Sequence, residues 1–366
     1  MVEPRARGAA GTRRAPNRIM SAGDATPSSR ITLVESALPE RRVTNDELAA
    51  RHPTWKMPQV AVRTGVLERR WCNADETALD LAEAACRRAE ERMPGLIAAS
   101  DVVLFCTQSP DYWMPPNACL LQDRLGLTTR TAALDFSLAC SGFVYGLYMA
   151  NALIASRSAR QVLLVTAETY SRWMHPGDRG PMTLFGDGAA VTVITASDGP
   201  PMRFALGSDG SGANTFCVPS GAARTPRSEA SARETTDASG NVRSDEHLHM
   251  DGGAVLDFVK REMPRIVRTF LEENGATLDD VDLVVFHQAS QVGLDYLNQA
   301  LRVPPAKRFS NIARIGNTVS ASIPIALRDA ELAGALRAGM RVLLVGFGVG
   351  LSWGSALITW QAPGTP

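Results

Sequence analysis

SDVVLFCTQS (100–109) is an unbroken apolar run that closes on polar residues, the pattern of a strand buried on both faces. VDLVVFHQAS (281–290) repeats it, aligning Asp101 with Asp282, Phe105 with Phe286 and Cys106 with His287. A long amphipathic helix pattern precedes each run, over 76–92 and over 254–274, and a short helix pattern follows each. Next comes a turn into a helix of small residues. In the first half this turn carries Cys140, within LDFSLACSGFVYGLYMANALIAS (134–156). In the second it carries Asn317, within GNTVSASIPIALRDAELAGAL (316–336). The closing strands repeat as well: QVLLVTAE (161–168) then LFGDGAAVTVITA (184–196), against RVLLVGFG (341–348) then LSWGSALITW (351–360). Alternating buried strands and helices, doubled along the chain, predict an α/β fold of two pseudo-duplicated halves, 31–199 and 200–366. Equivalent loops of the halves would meet about a pseudo-twofold axis, bringing Cys140, His287 and Asn317 to one site.

The 366 residues are 45% hydrophobic and 21% charged with a formal net charge of +0, ordinary globular composition and enough chain for two large cores. Neutral balance argues against nucleic acid as the main partner. No apolar run approaches the roughly 18 residues of a membrane span. The six cysteines are scattered, without zinc spacing, and read as reduced thiols of a cytoplasmic protein. Residues 1–30, rich in Arg, Ala, Gly and Pro, read as a disordered tail. Their composition fits a transit peptide or a start codon placed too early, with Met20 nearer the true start. An export signal is rejected because no apolar core follows Arg13-Arg14. TNDELAA (44–50) carries a capping-box signature, and VRTGVLERRW (62–71) reads as a turn at Gly65 inside a basic, exposed segment. The polar stretch 220–246 is a long loop, either a mobile lid or a solvated insertion.

Cys140 stands where an apolar run breaks at small residues and a helix begins. Free N–H groups and the positive end of the helix dipole favour thiolate there. Gly142 lets a substrate approach the backbone. The functional reading is a cysteine nucleophile carrying an acyl group; the alternative is a thiol that fills a small core site. His287 closes an apolar strand, as a core histidine also would, and Asn317 has the position of a helix cap. Cys106 is a rival nucleophile but lies inside a strand with no helix terminus behind it. His247 and His249 alternate as on a strand surface, and no third ligand makes them a metal pair. GFGVG (346–350) is not a dinucleotide loop, because no helix follows it.

From residue 31 to 360 the chain resembles β-ketoacyl-acyl-carrier-protein synthase III-like enzymes of the thiolase superfamily. The resemblance is carried, in order, by VRTGVLERR, LDFSLACSGF, DRGPMTLFGDGAA, HMDGGAVLDFV, VVFHQAS, GNTVSASIPIAL and GFGVGLSWGSAL. It implies a layered α-β-α-β-α architecture and a Cys–His–Asn site. Cys140 would take an acyl group from a thioester. His287 and Asn317 would donate to the carbonyl of a malonyl thioester, stabilising the enolate left by loss of carbon dioxide. Backbone N–H groups of Cys140 and Val349 would form the oxyanion hole for the acyl oxygen. Val349 stands where relatives mostly have glycine, which leaves the backbone donor intact.

The resemblance also implies substrate-binding roles for Arg63, Arg179, Met114 and Ser290; Arg179 equally suits a surface charge. It implies a homodimer paired through the large sheet, with coenzyme A or acyl-carrier-protein thioesters as substrates and no metal or redox cofactor. Four departures bear on the substrate. HQAS stands for HQAN, and Gln291 replaces a basic residue that helps carrier docking. Gln59 replaces a tryptophan that stacks on adenine, although Trp55 is nearby. Met114 replaces an aromatic residue that reaches the partner subunit's acyl pocket. These changes point toward a specialised fatty-acid or polyketide-type pathway. The alternative is acyl transfer from Cys140 to an alcohol or amine without decarboxylation. A non-catalytic heterodimer partner is disfavoured because Cys140 is retained.

Overall fold

The long buried runs of the sequence assemble as two sheets with helices between and outside them. The computed structural model describes residues 27–361. In the first half, strands β1 (Ser28–Ala37), β2 (Val102–Cys106), β3 (Ala132–Phe136), β4 (Gln161–Glu168) and β5 (Gly188–Ser197) form a five-stranded sheet in the order β1-β5-β4-β2-β3. In the second, β6 (Arg203–Ser208), β7 (Leu283–Phe286), β8 (Arg341–Gly348) and β9 (Ser352–Thr359) run in the order β7-β8-β9-β6. Pairing senses match between the sheets. β2 is parallel to β4 as β7 is to β8, and β5 is antiparallel to β4 as β9 is to β8. The fifth strand of the second sheet shrinks to one parallel bridge, Val284 to Arg308.

The aspartates aligned by the repeat do the same work in both halves. Asp101 accepts from the N–H groups of Arg160 at 2.7 Å and Gln161 at 3.1 Å, and Asp282 accepts from Arg341 N–H at 2.8 Å. Each carboxylate satisfies N–H groups at the start of the neighbouring strand, which pins the parallel register.

Helices α1 (Ala78–Arg92), α2 (Asn117–Arg124), α3 (Gly142–Ala155), α4 (Arg179–Leu184), α5 (Gly252–Glu273), α6 (Gln291–Leu301) and α7 (Ser322–Leu332) complete the frame. α1 opens on a full capping box between Thr77 and Asp80 and buries its Leu79, Ala82, Ala85, Cys86 and Ala89 stripe on the outer face of the first sheet. α5 covers the second sheet through Phe258, Val259, Met263 and Val267. Between the sheets, α3 and α7 share one core: Phe143, Leu147 and Ile154 meet Ile323, Ala326 and Leu327, with Leu104 and Leu164 above and Val285 and Leu344 below. A helix packed between two sheets must be apolar around most of its circumference, and α3 is, apart from Tyr145, Tyr148 and Asn151. The layers are α-β-α-β-α.

Four boundaries differ from the sequence reading. Folded chain begins by Ser28, because β1 pairs with β5 from Ser28 onward; of the tail read over 1–30, residues 1–26 lie outside the described residues. The segment 62–71 is not exposed throughout: Val66, Arg69 and Trp71 are buried, because 68–70 pairs as a ribbon with Arg42–Thr44 beneath the site. Leu184 ends α4, and the strand starts only at Gly188. The stretch 220–246 holds a short helix, Glu229–Ala232, and a small ribbon joining Thr235–Thr236 to Val242–Arg243, with Arg243 paired to Asp178 at 3.3 Å. Thr44 caps its helix by accepting from Glu47 N–H at 3.2 Å.

Candidate active site

Cys140 lies one residue before Ser141, the N-cap of α3, and is 4% exposed. Close packing against the end of β8 puts it there. A side chain on Gly346 would come within 2.8 Å of the Cys140 carbonyl oxygen, and one on Gly348 within 2.8 Å of both Cβ and Sγ. Only glycine leaves room for the thiol on that face of the strand. Beyond the strand end, the backbone N–H groups of Val349 and of Cys140 itself favour negative charge on the Cys140 sulfur. These donors and the α3 terminus suit an oxygen becoming negative beside the sulfur.

The thiol is not ready-ionised, contrary to the expectation from the helix terminus. Burial, and then the Glu168 carboxylate, push it up to about 12, against the pull of the two N–H donors. Desolvation outweighs the helix end because the site is closed to water.

His287 follows the last residue of β7 and is tied to β8 by its N–H, which donates to the Val345 carbonyl at 2.8 Å. Its ring meets Phe347 edge-on at 5.6 Å. Burial holds it down to about 3, so it is neutral. Nδ1 lies 2.6 Å from the Ser322 hydroxyl, at the start of α7. With the serine donating to Nδ1, the ring proton stays on Nε2, which leaves Nε2–H free to donate.

Asn317 reaches the site because two glycine loops cross. Gly186 N–H donates to the Asn317 carbonyl at 3.0 Å, and Asn317 N–H donates to the Leu184 carbonyl at 2.9 Å. A side chain on Gly316 would come within 2.7 Å of the Leu184 carbonyl, so LFGDG and GNTVS lie backbone to backbone. The side-chain oxygen of Asn317 accepts from Val319 N–H at 2.9 Å, while its nitrogen faces the Ala289 carbonyl at 3.4 Å. Val319 holds φ +54°, a left-handed conformation costly for a β-branched residue and common where function sets the backbone. The amide is thereby locked with its N–H2 as the available donor.

Beneath this crossing sits Arg69, fully buried, with its guanidinium donating to the Asn45 side chain and the Thr183 carbonyl at 2.8 Å each; burial lowers it to about 10. Neither Arg69 nor Ser322 was singled out by sequence reasoning, although both lie inside quoted motifs. Their importance comes from partners distant in sequence.

The remaining candidates sit around this centre. Ser290 is half-buried and caps α6, accepting from Gly293 N–H at 3.3 Å. Arg63 is exposed at the end of the helix Met57–Thr64; Gly65 then turns with φ +75°, close against Gln291 at the start of α6. Arg179 is half-buried at the first position of α4. Met114 is 81% exposed, beside Trp113 at 76% and near the free edge of β3, where Leu134 is 42% exposed. Trp55 is buried and stacked on His52 at 3.8 Å, so it does not offer a free ring at the surface. A cavity of about 260 Å³ is lined by Gln108, Trp113, Tyr170, Trp173, Phe216 and Val349. Ser220, Gly221, Ala222 and Arg227 close another side, so part of the 220–246 stretch bears on this cavity.

Cys106 is packed away: its Sγ donates to the Leu138 carbonyl at 2.9 Å and it crowds Gly142. His249 lies in a two-residue strand paired with Phe216–Cys217, and His247 meets His175 edge-on at 4.8 Å. Among the described residues no group of three or more His, Cys, Asp or Glu is arranged to hold a metal ion, and no helix is long and apolar enough to cross a membrane.

Residues 134–210 match the family 3-Oxoacyl-[acyl-carrier-protein (ACP)] synthase III, and residues 271–360 match its C-terminal region. The chain is 36% identical over 354 residues to a β-ketoacyl-[acyl-carrier-protein] synthase III of Rhodopirellula baltica, covering 90% of this chain and 98% of that protein. It is 38% identical over 346 residues to β-ketoacyl-[acyl-carrier-protein] synthase III 3 of Streptomyces coelicolor, covering 92% and 98%. A crystal structure of a 3-oxoacyl-(acyl-carrier-protein) synthase III superposes with a TM-score of 0.89 at 43% identity, covering 91% of this chain and all of that one. With the duplicated five-layer frame and matches along both halves, the chain belongs to the β-ketoacyl-acyl-carrier-protein synthase III family of the thiolase superfamily.

Proposed function

We propose that the protein forms a β-ketoacyl thioester by decarboxylative Claisen condensation, using Cys140 as nucleophile and His287 and Asn317 as hydrogen-bond donors. What supports this reading is that Cys140 packs on Gly348 and His287 on Phe347 at the same end of β8, while the Asn317 amide bonds the Ala289 carbonyl two residues after His287. In the first step the Cys140 sulfur bonds to the acyl carbon of a coenzyme A or carrier-protein thioester. The carbonyl oxygen takes negative charge against the N–H groups of Cys140 and Val349. The departing thiolate takes the proton that the cysteine gives up. In the second step a malonyl thioester places its thioester oxygen on His287 Nε2–H and the Asn317 amide. Carbon dioxide leaves, the enolate carbon attacks the acyl-cysteine, and the Cys140 thiolate departs to regain a proton.

A neutral His287 suits this role, since it donates without removing a proton from substrate. No metal or redox cofactor enters the sequence of steps. The cavity beside Val349 would take the acyl chain, and Arg63 and Arg179 would meet the phosphates of coenzyme A. Ser290 would line the approach to His287. Gln291 in place of a basic residue favours a specialised fatty-acid or polyketide-type pathway. A homodimer is supported by the exposed apolar cluster of Tyr112, Trp113 and Met114 beside the open edge of β3. Met114 would then reach across to the partner subunit.

The test loads wild type and Cys140→Ala with labelled acyl-coenzyme A, adds malonyl-coenzyme A or malonyl carrier protein, and follows adduct and carbon dioxide. An adduct on wild type alone, then carbon dioxide and a product two carbons longer, is expected. An adduct discharged by an alcohol or amine without carbon dioxide would instead identify an acyltransferase.

A further inference from the structure

Glu168, the last residue of β4, is fully buried, and among the described residues it has no ion-pair partner. A buried carboxyl without a cation is costly unless its hydrogen bonds are supplied, and here they come from both halves of the molecule. Gln108 N–H donates at 3.0 Å and the Ser109 hydroxyl at 3.1 Å from the loop after β2; the Ser320 hydroxyl donates at 2.7 Å from the turn after Asn317. Ser320 also packs on the first turn of α3, where a side chain on Gly142 would stand 3.6 Å from its Cβ. The carboxyl therefore lies under the helix end that bears Cys140 and is bonded to the turn that bears Asn317.

We propose that Glu168 is a positioning residue for the condensation site. It holds the Ser320 turn, and so the Asn317 amide, against the start of α3, and its charge restrains ionisation of the Cys140 thiol. The positioning half of this proposal rests on the condensing function proposed above.

Burial pushes Glu168 up to about 8 against its hydrogen bonds. The carboxylate in turn raises Cys140, second only to burial. The other titratable groups sharing this space are Cys106, on β2, and Tyr170, after β4; burial raises both well above their ordinary ranges, so neither brings charge near neutrality. His287, from β7, is held neutral by burial. Glu168 is thus the group whose charge changes beside the thiol near neutral pH, and thiol reactivity would follow it.

The experiment measures alkylation of Cys140 by iodoacetamide as a function of pH, with the modified peptide quantified by mass spectrometry, in wild type, Glu168→Gln and Ser320→Ala. Glu168→Gln should be alkylated about tenfold faster at about pH 10, where the wild-type carboxyl is charged, only about twofold faster at about pH 8, and at the wild-type rate below about pH 7. Ser320→Ala keeps the carboxyl but removes one of the hydrogen bonds that lower it, so its alkylation profile should move far less than that of Glu168→Gln. Ser320→Ala should lose about tenfold in kcat for malonyl thioester decarboxylation with KM unchanged. A folded Glu168→Gln protein with the wild-type alkylation profile overturns the electrostatic role. Ser320→Ala with unchanged kcat overturns the positioning role, and it decides alone if Glu168→Gln does not fold. Alkylation requires no acyl transfer, so it still reads Glu168 if wild type forms no acyl adduct and the condensing function itself fails.

Discussion

The two halves share one plan, down to Asp101 and Asp282, and use it differently at the places that carry chemistry. β2 ends in Cys106 and β7 runs out just before His287, yet the thiol is sealed against Gly142 while the imidazole is bonded to Ser322 and offers Nε2 to the site. The turns that follow carry Cys140 in one half and Asn317 in the other. The sheet edges diverge too: β3 is a full strand with exposed Leu134, whereas its counterpart is a single bridge at Arg308, whose guanidinium is folded onto the Val303 carbonyl. A charged side chain at a shortened edge blocks further pairing, and an open apolar edge invites it. Duplication thus supplied a frame in which equivalent positions were free to take unlike chemistry, since the frame's stability lies in the β4-like and β8-like strands and the shared α3–α7 core.

Truncating the equivalent side chains at the two strand ends tests this asymmetry most severely. His287→Ala should lower malonyl decarboxylation by about 10²–10³ while the acyl adduct on Cys140 still forms. Cys106→Ala should leave turnover within about threefold and cost about 1 kcal/mol in urea unfolding. Equal losses in both variants would show that the halves are not functionally divided. The edges come next: Leu134→Asp should convert a dimer to a monomer by light scattering, and Arg308→Leu should not change the mass. A monomeric wild type would remove the pairing altogether.

A last difference between the halves lies in the pH dependence of stability. Glu168 keeps its proton in the native state up to about 8 but would lose it near 4.5 when unfolded, so its contribution makes stability fall as pH rises across that window. His287, neutral in the native state down to about 3 against an ordinary 6.5, contributes stability that is lost as pH falls through that range. Between pH 6.5 and 8 the Glu168 contribution is no longer opposed by His287. Wild type should lose up to about 2 kcal/mol there, and Glu168→Gln should show a flatter profile in urea titrations at fixed pH.

The linear pattern carried much of this molecule. Period and repetition in the apolar residues marked the two halves and the alternation of buried strands and helices along them, because a strand buried on both faces must be continuously apolar whatever its neighbours. The aligned Asp101 and Asp282, and the turns bearing Cys140 and Asn317, followed from the same alignment. What only the folded chain decided was the state and surroundings of these groups. That Arg69 is a buried strut, that Cys140 is held as a thiol, that Ser322 orients His287 and that Glu168, without an ion-pair partner among the described residues, lies beneath the site all depend on burial and on partners more than twenty residues away. Desolvation and long-range hydrogen bonds act through space, and a residue's own sequence neighbourhood does not contain them.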